Sequence, residues 1–216
     1  MSAPLRQRAV IVFADAGGPA PSRQAEEATA RDRFKELADE IFKPLLKQYR
    51  GRLVKTMGEG FVMTFTSAVA AVSFAIDVQR TLPVHQSQWP ERRRLRFRMG
   101  VDLGDIIADG GDVRGGGVTA ASGLRVLAAP GGMVISGAVF DQAHRRLDQV
   151  AFQEMEAPTV EHNSGPVRAY KVLLDPSALE KIAKRPSMFS GRRIATVLLT
   201  LIILAGAALW KLRPWD

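Results

Sequence analysis

Cysteine is absent from the 216 residues. That excludes disulfide scaffolds and thiolate metal sites, and it accords with a reducing compartment. A secretory leader is not expected either: the first eight residues lack an apolar core, and the apolar run at 9–14 is too short for one. The glycine-rich stretch 109–117 has neither the dinucleotide nor the P-loop spacing, so by itself it is a weak phosphate cradle. No aromatic stacking platform accompanies the basic cluster Arg92, Arg93, Arg94, Arg96 and Arg98. That cluster therefore reads as a solvated loop and strand face, and no nucleic-acid partner is expected.

What is present is enough for one ordinary core, at 46% hydrophobic and 24% charged residues, with an appendage. The formal net charge is +8, and a second basic cluster gathers at Lys181, Lys184, Arg185, Arg192 and Arg193. It precedes the uncharged run 194–210, rich in Leu and Ile, which ends at Trp210 with Lys211 and Trp215 beyond. A run of this length is near the lower limit for a spanning helix, which needs roughly 17–25 apolar residues. The basic bias before it and the interfacial tryptophans predict one C-terminal transmembrane helix. The expected layout is a domain over 1–174, a basic juxtamembrane linker over 175–193, the span 194–210 and a short tail 211–216. By the positive-inside rule the domain is expected in the cytoplasm, on a single pass through the inner or plasma membrane.

Within the domain, the apolar run ending at Asp15 predicts a central strand. Residues 21–49 predict a helix, with Pro44 kinking or breaking it. Residues 53–65 predict a hairpin turning at Met57-Gly-Glu-Gly60, with Lys55 before the turn and Glu59 at its tip. A helix over 67–82, a polar connection, a long strand over 95–108 and a helix over 118–129 follow. A short strand at 133–136, a helix over 138–147 and a final β pair at 150–154 and 167–173 complete the order. The whole predicts an α+β sheet with helices on one face.

An ordered set of motifs now carries a resemblance. It comprises Phe13-Ala-Asp15, Gly51-Arg-Leu-Val-Lys-Thr-Met-Gly-Glu-Gly60 and Phe97-Arg-Met-Gly-Val-Asp-Leu-Gly-Asp105. Asp112-Val-Arg-Gly115, Val118-Thr-Ala-Ala-Ser-Gly-Leu124, Pro130-Gly-Gly-Met-Val-Ile-Ser136 and Pro166-Val-Arg-Ala-Tyr170 complete it. In this order, from about residue 8 to 174, they resemble the class III nucleotidyl (adenylate/guanylate) cyclase catalytic domain of bacterial type. The resemblance implies a ferredoxin-like α+β fold with a central, mostly antiparallel sheet. It also implies a homodimer or a heterodimer with a related cyclase domain, an ATP-like nucleotide at the interface, and Mg²⁺ or Mn²⁺.

Residue by residue, the resemblance implies that Asp15 is the first metal aspartate and that Lys55 and Asp112 read the base. The departures lie elsewhere. Glu59 stands where the family has its second metal aspartate, and Mg²⁺ tolerates displaced ligands poorly. Thr119 replaces the ribose-positioning asparagine and Gly123 the arginine that stabilises charge on the phosphate. Arg125 is expected on nearly the opposite helix face from Gly123, and so is not expected to replace it. Pro19 and Ala20 also stand where the family has an aromatic and a hydroxyl residue. The resemblance therefore implies a degenerate cyclase domain that dimerises or binds nucleotide as a signalling module. The alternative is an active or slow adenylate cyclase, converting ATP to cyclic AMP and diphosphate with two metal ions.

Overall fold

The computed structural model describes residues 5–17, 24–109, 112–156 and 167–175. These fall within one compact unit, Met1–Pro176, while the unit Ser177–Asp216 lies outside the described residues. The 194–210 run, the tail and the expected linker from residue 177 onward belong to that second unit. Among the described residues, no helix is long and apolar enough to cross a membrane.

Strand β1 (Leu5–Gly17) pairs antiparallel with β3 (Gly60–Phe65) and with β4 (Arg96–Asp109). With β2 (Arg52–Met57), β6 (Met133–Ser136), β7 (Ala151–Glu154) and β8 (Ala169–Leu173), the sheet order is β2-β3-β1-β4-β6-β8-β7. The pair β4–β6 is parallel and the rest are antiparallel. A short β5 (Asp112–Arg114) hangs on the end of β4, inside the stretch that the sequence presented as a glycine-rich loop. Its residue types gave no strand signal; three residues suffice because β4 supplies the partner.

Alternation in β1 sets both sides of the sheet. Val10, Val12 and Ala14 turn into the main core with Phe97, Met99 and Val101, while Ile11 and Phe13 join a second cluster with Val62, Ile106 and Ala121. Helices α1 (Gln24–Leu37), α3 (Ala68–His85) and α5 (Gly137–Ala143) feed the first. Helix α4 (Gly116–Val126) covers the second. The expectation that all helices share one face is therefore corrected: both sheet faces carry apolar residues, so both need a cover.

The predicted break near Pro44 is a π-helical turn, Ala38–Phe42, between α1 and α2 (Lys43–Gln48). Pro44 cannot donate to the Glu40 carbonyl, and the wider turn absorbs the misfit. Phe42 thereby enters an aromatic cluster, 4.6 Å from Phe61 and 4.9 Å from Phe97 between ring centres. Helix α3 starts at its Ser67 cap as expected but continues through Pro83 to His85 instead of stopping at 82. The buried Gln86 holds that end: its Nε2 donates to Leu95 O (3.0 Å) and its Oε1 accepts from Leu95 N (2.6 Å).

Candidate active site

The end of β1 and the β2–β3 turn converge because Asp15 pairs with Gly60 in register and the Ala16 amide donates to Glu59 O at 2.9 Å. The turn is the two residues Gly58 and Glu59, with Gly58 at φ 56°, the left-handed region that favours glycine. Gly60, in contrast, is needed for room: a Cβ there would lie 3.0 Å from Ala14 O. The structure thus brings Asp15 and Glu59 to adjacent places.

Asp15 lies on the α4 side of the sheet, as do Ile11 and Phe13. Directly across the strand pair stands Arg98, whose Nη2 is 3.4 Å from Asp15 Oδ2. Arg125, reaching down from α4, pairs with the same oxygen through Nη1. Its guanidinium carbon lies 5.0 Å from the centre of the Phe13 ring, within range of a cation–π contact. The side chains of Asp15 and Arg125 are only 20% and 18% exposed. Asp15 Oδ1 and Arg98 Nε are buried and find no hydrogen-bond partner among the described residues. Removing one member of so buried a pair typically costs about 3–5 kcal/mol, because the other charge is left uncompensated.

These arginines are the residues that sequence reasoning missed. Arg98 belonged to a cluster read as solvated, yet it faces Asp15, and its neighbour Arg94 donates to Trp89 O (2.9 Å) and Ser87 O (2.9 Å). Its side was legible: Phe97, Met99 and Val101 point into the main core, so Arg98 and Gly100 point the other way. Arg125 does lie away from the Gly123 direction, as expected, and that is the direction of the sheet.

The remaining positions lie on other elements. Thr119 and Gly123 are one turn apart on α4, and the Thr119 hydroxyl donates back to Gly115 O at 3.4 Å. Lys55 is exposed on β2, just after a register shift between Leu53 and Lys55. Asp112 opens β5 opposite Asp109, and β5 comes near β2, the strand that carries Lys55. A separate group of metal-type donors, Glu36, Glu40 and His85, sits on α1, the π turn and α3; His85 Nε2 is 3.2 Å from Glu40 Oε2.

No family model matches the chain. It is 34% identical over 143 residues to "Putative adenylate cyclase 3" of Rhizobium meliloti, an alignment covering 66% of this chain and 24% of that protein. Among solved structures, it resembles an adenylate/guanylate cyclase/hydrolase from Silicibacter pomeroyi with a TM-score of 0.70 at 27% identity, covering 78% of this chain and 98% of that one. By sequence and by fold the domain is similar to class III nucleotidyl cyclase catalytic domains. The adenylyl cyclase CyaB from P. aeruginosa shares the fold with a TM-score of 0.63 at 20% identity, over 79% of this chain and 95% of that one. The chain spans about a quarter of the length of the Rhizobium relative, 24%.

Class III cyclases in general use Mg²⁺ or Mn²⁺. The cyclase homology domain described here does not present Asp15 in a form that fits such an ion. One carboxylate oxygen is engaged by two guanidinium groups, and the other is sealed from solvent. Mg²⁺ keeps several waters and near-octahedral geometry, which this enclosure does not accommodate.

Proposed function

We propose that this is a catalytically degenerate cyclase homology domain: a dimerising signalling module, held at the cytoplasmic face of a membrane by the 194–210 run, that binds a purine nucleotide without cyclising it. The observation that carries this reading is the state of α4. At the two positions where the family places an amide and a guanidinium, Thr119 turns its hydroxyl back onto Gly115 O and Gly123 has no side chain. Cyclisation needs donors aimed at the charge that develops on the phosphate, and losing one typically costs roughly 10²–10³ in turnover. Ground-state binding uses other groups. Lys55 on β2 and Asp112 on β5 are a donor and an acceptor type suited to a purine edge, on strands that come into contact.

The test separates binding from turnover on the full chain. Titration calorimetry with ATP and GTP is expected to show micromolar to millimolar binding that Lys55→Ala weakens. Cyclic AMP and cyclic GMP assays with Mg²⁺ and with Mn²⁺ are expected to show no product. Robust cyclic AMP formation by the unmodified chain, abolished by Asp15→Ala, overturns the reading and establishes an active adenylate cyclase.

A further inference from the structure

We infer that Arg125 occupies the cation position of this site: its guanidinium takes the place of a divalent ion on Asp15, and the domain is built to remain metal-free there. The inference rests on the reading of Asp15 as the family's metal aspartate. It does not depend on whether a nucleotide binds.

Three features place Arg125 there. Helix α4 lies hard against β4, since a Cβ on Gly100 would stand 2.0 Å from Ala121 O and 2.3 Å from Arg125 N. That approach carries the Arg125 stem over Phe13, two residues before Asp15 and paired with Gly100 in register. The guanidinium is then steadied by the Phe13 ring, 5.0 Å from its centre, and by Nε donating to Ser122 O at 3.4 Å. The charge logic is closed as well. Arg98 stands on the same Asp15 oxygen at 3.4 Å, so two positive groups already face one carboxylate. A divalent cation entering beside them would meet repulsion from both, in an enclosure where charges are poorly screened. Oδ1, the oxygen left over, is buried away from the solvent that a Mg²⁺ ion would bring as ligands.

Manganese binding tests this without reference to activity. Electron paramagnetic resonance of Mn²⁺ added to the full chain is expected to show no Asp15-dependent site: the wild type and Asp15→Asn should bind alike. Arg125→Gln keeps part of the stem over Phe13 and removes the charge. It should gain a site at least tenfold tighter than anything in the wild type, and Asp15→Asn in that background should remove it. Arg125→Lys, which restores a cation, should again bind as the wild type does. Circular dichroism establishes that each variant is folded. Mn²⁺ bound by the wild type and lost in Asp15→Asn overturns the inference, whatever happens to Arg125→Gln. So does a folded Arg125→Gln variant with no new site. Neither result touches the nucleotide-binding reading, which stands or falls on Lys55.

Discussion

Gly100 on β4 and Arg125 on α4 are packed so closely that a Cβ on the glycine would lie 2.3 Å from the arginine's backbone nitrogen. The contact is backbone to backbone, so neither side can yield by turning a side chain. Gly100→Ala is therefore expected to lift α4 and cost about 1–3 kcal/mol, as overpacking does. Gly116→Ala is the contrast: nothing lies within 4 Å of its added Cβ. Its restricted unfolded chain should give a gain of about 0.4–1 kcal/mol. Urea midpoints at unchanged slope measure both.

Asp102 is held in a costly state on the same side of the sheet. Burial raises its carboxyl above the ordinary value of 3.8, and the Ser136 hydroxyl, the Leu103 amide and Arg8 offset that only in part. A carboxyl whose folded value is raised binds its proton more tightly in the native state. Stability contributed by this group is thus present below the unfolded value and is lost as pH rises through the folded one. Asp102→Asn should remove that slope and leave the protein more stable than the wild type at neutral pH. Thermal midpoints across mildly acidic pH check it, and parallel curves for the two proteins refute it.

Tyr49 and Asp77 are joined at 2.5 Å between α2's end and α3. Burial, then the Asp77 hydrogen bond and charge, push the Tyr49 hydroxyl from 10.0 up to about 12. The unfolded chain ionises first, so this contribution to stability is intact below pH 10 and declines as pH rises towards 12. There are 2 tyrosines in the chain, Tyr49 and Tyr170. Tyr49→Phe should delete the step near pH 12 from a tyrosinate absorbance titration and cost about 1 kcal/mol at neutral pH.

Much of this was written locally. The 53–65 hairpin followed from Gly58 and the flanking β-type residues, and the strand at 133–136 from a short apolar run between a Pro-Gly-Gly turn and a helix. The α+β arrangement with a central sheet came from motif order, and the hairpin turn set Glu59 beside Asp15. What escaped was non-local. Pairing Arg98 with Asp15 requires the β1–β4 register, fixed by strands 83 residues apart in sequence. Arg125 meets Asp15 only because Gly100 lets the helix down onto the sheet. Reading Arg125 relative to Gly123 fixed its direction on the helix without fixing what lay in that direction. The helix layout on two faces was likewise hidden, since period-two alternation in β1 places apolar residues on both sides without naming their covers.

The anchor is a separate expectation with its own test. Deleting 194–216 should move the protein from the membrane fraction to the soluble fraction, because that run is the chain's stretch of spanning length. A truncated chain that still resists a carbonate wash, or a full chain already soluble, refutes the anchor.

On the degenerate reading proposed above, cyclase chemistry at this site should be recoverable in one order only. Glu59→Asp, Thr119→Asn and Gly123→Arg restore the family's residue types, but Arg125 would still stand on Asp15. The triple variant is therefore expected to stay silent, and adding Arg125→Gln should open cyclic AMP formation in the presence of Mn²⁺. Single reversions should change little, since groups that act as a unit are strongly non-additive. Asp15→Ala in the fourfold background should return product to the blank. If the triple variant already forms as much product as the fourfold one, Arg125 is not the obstacle at Asp15.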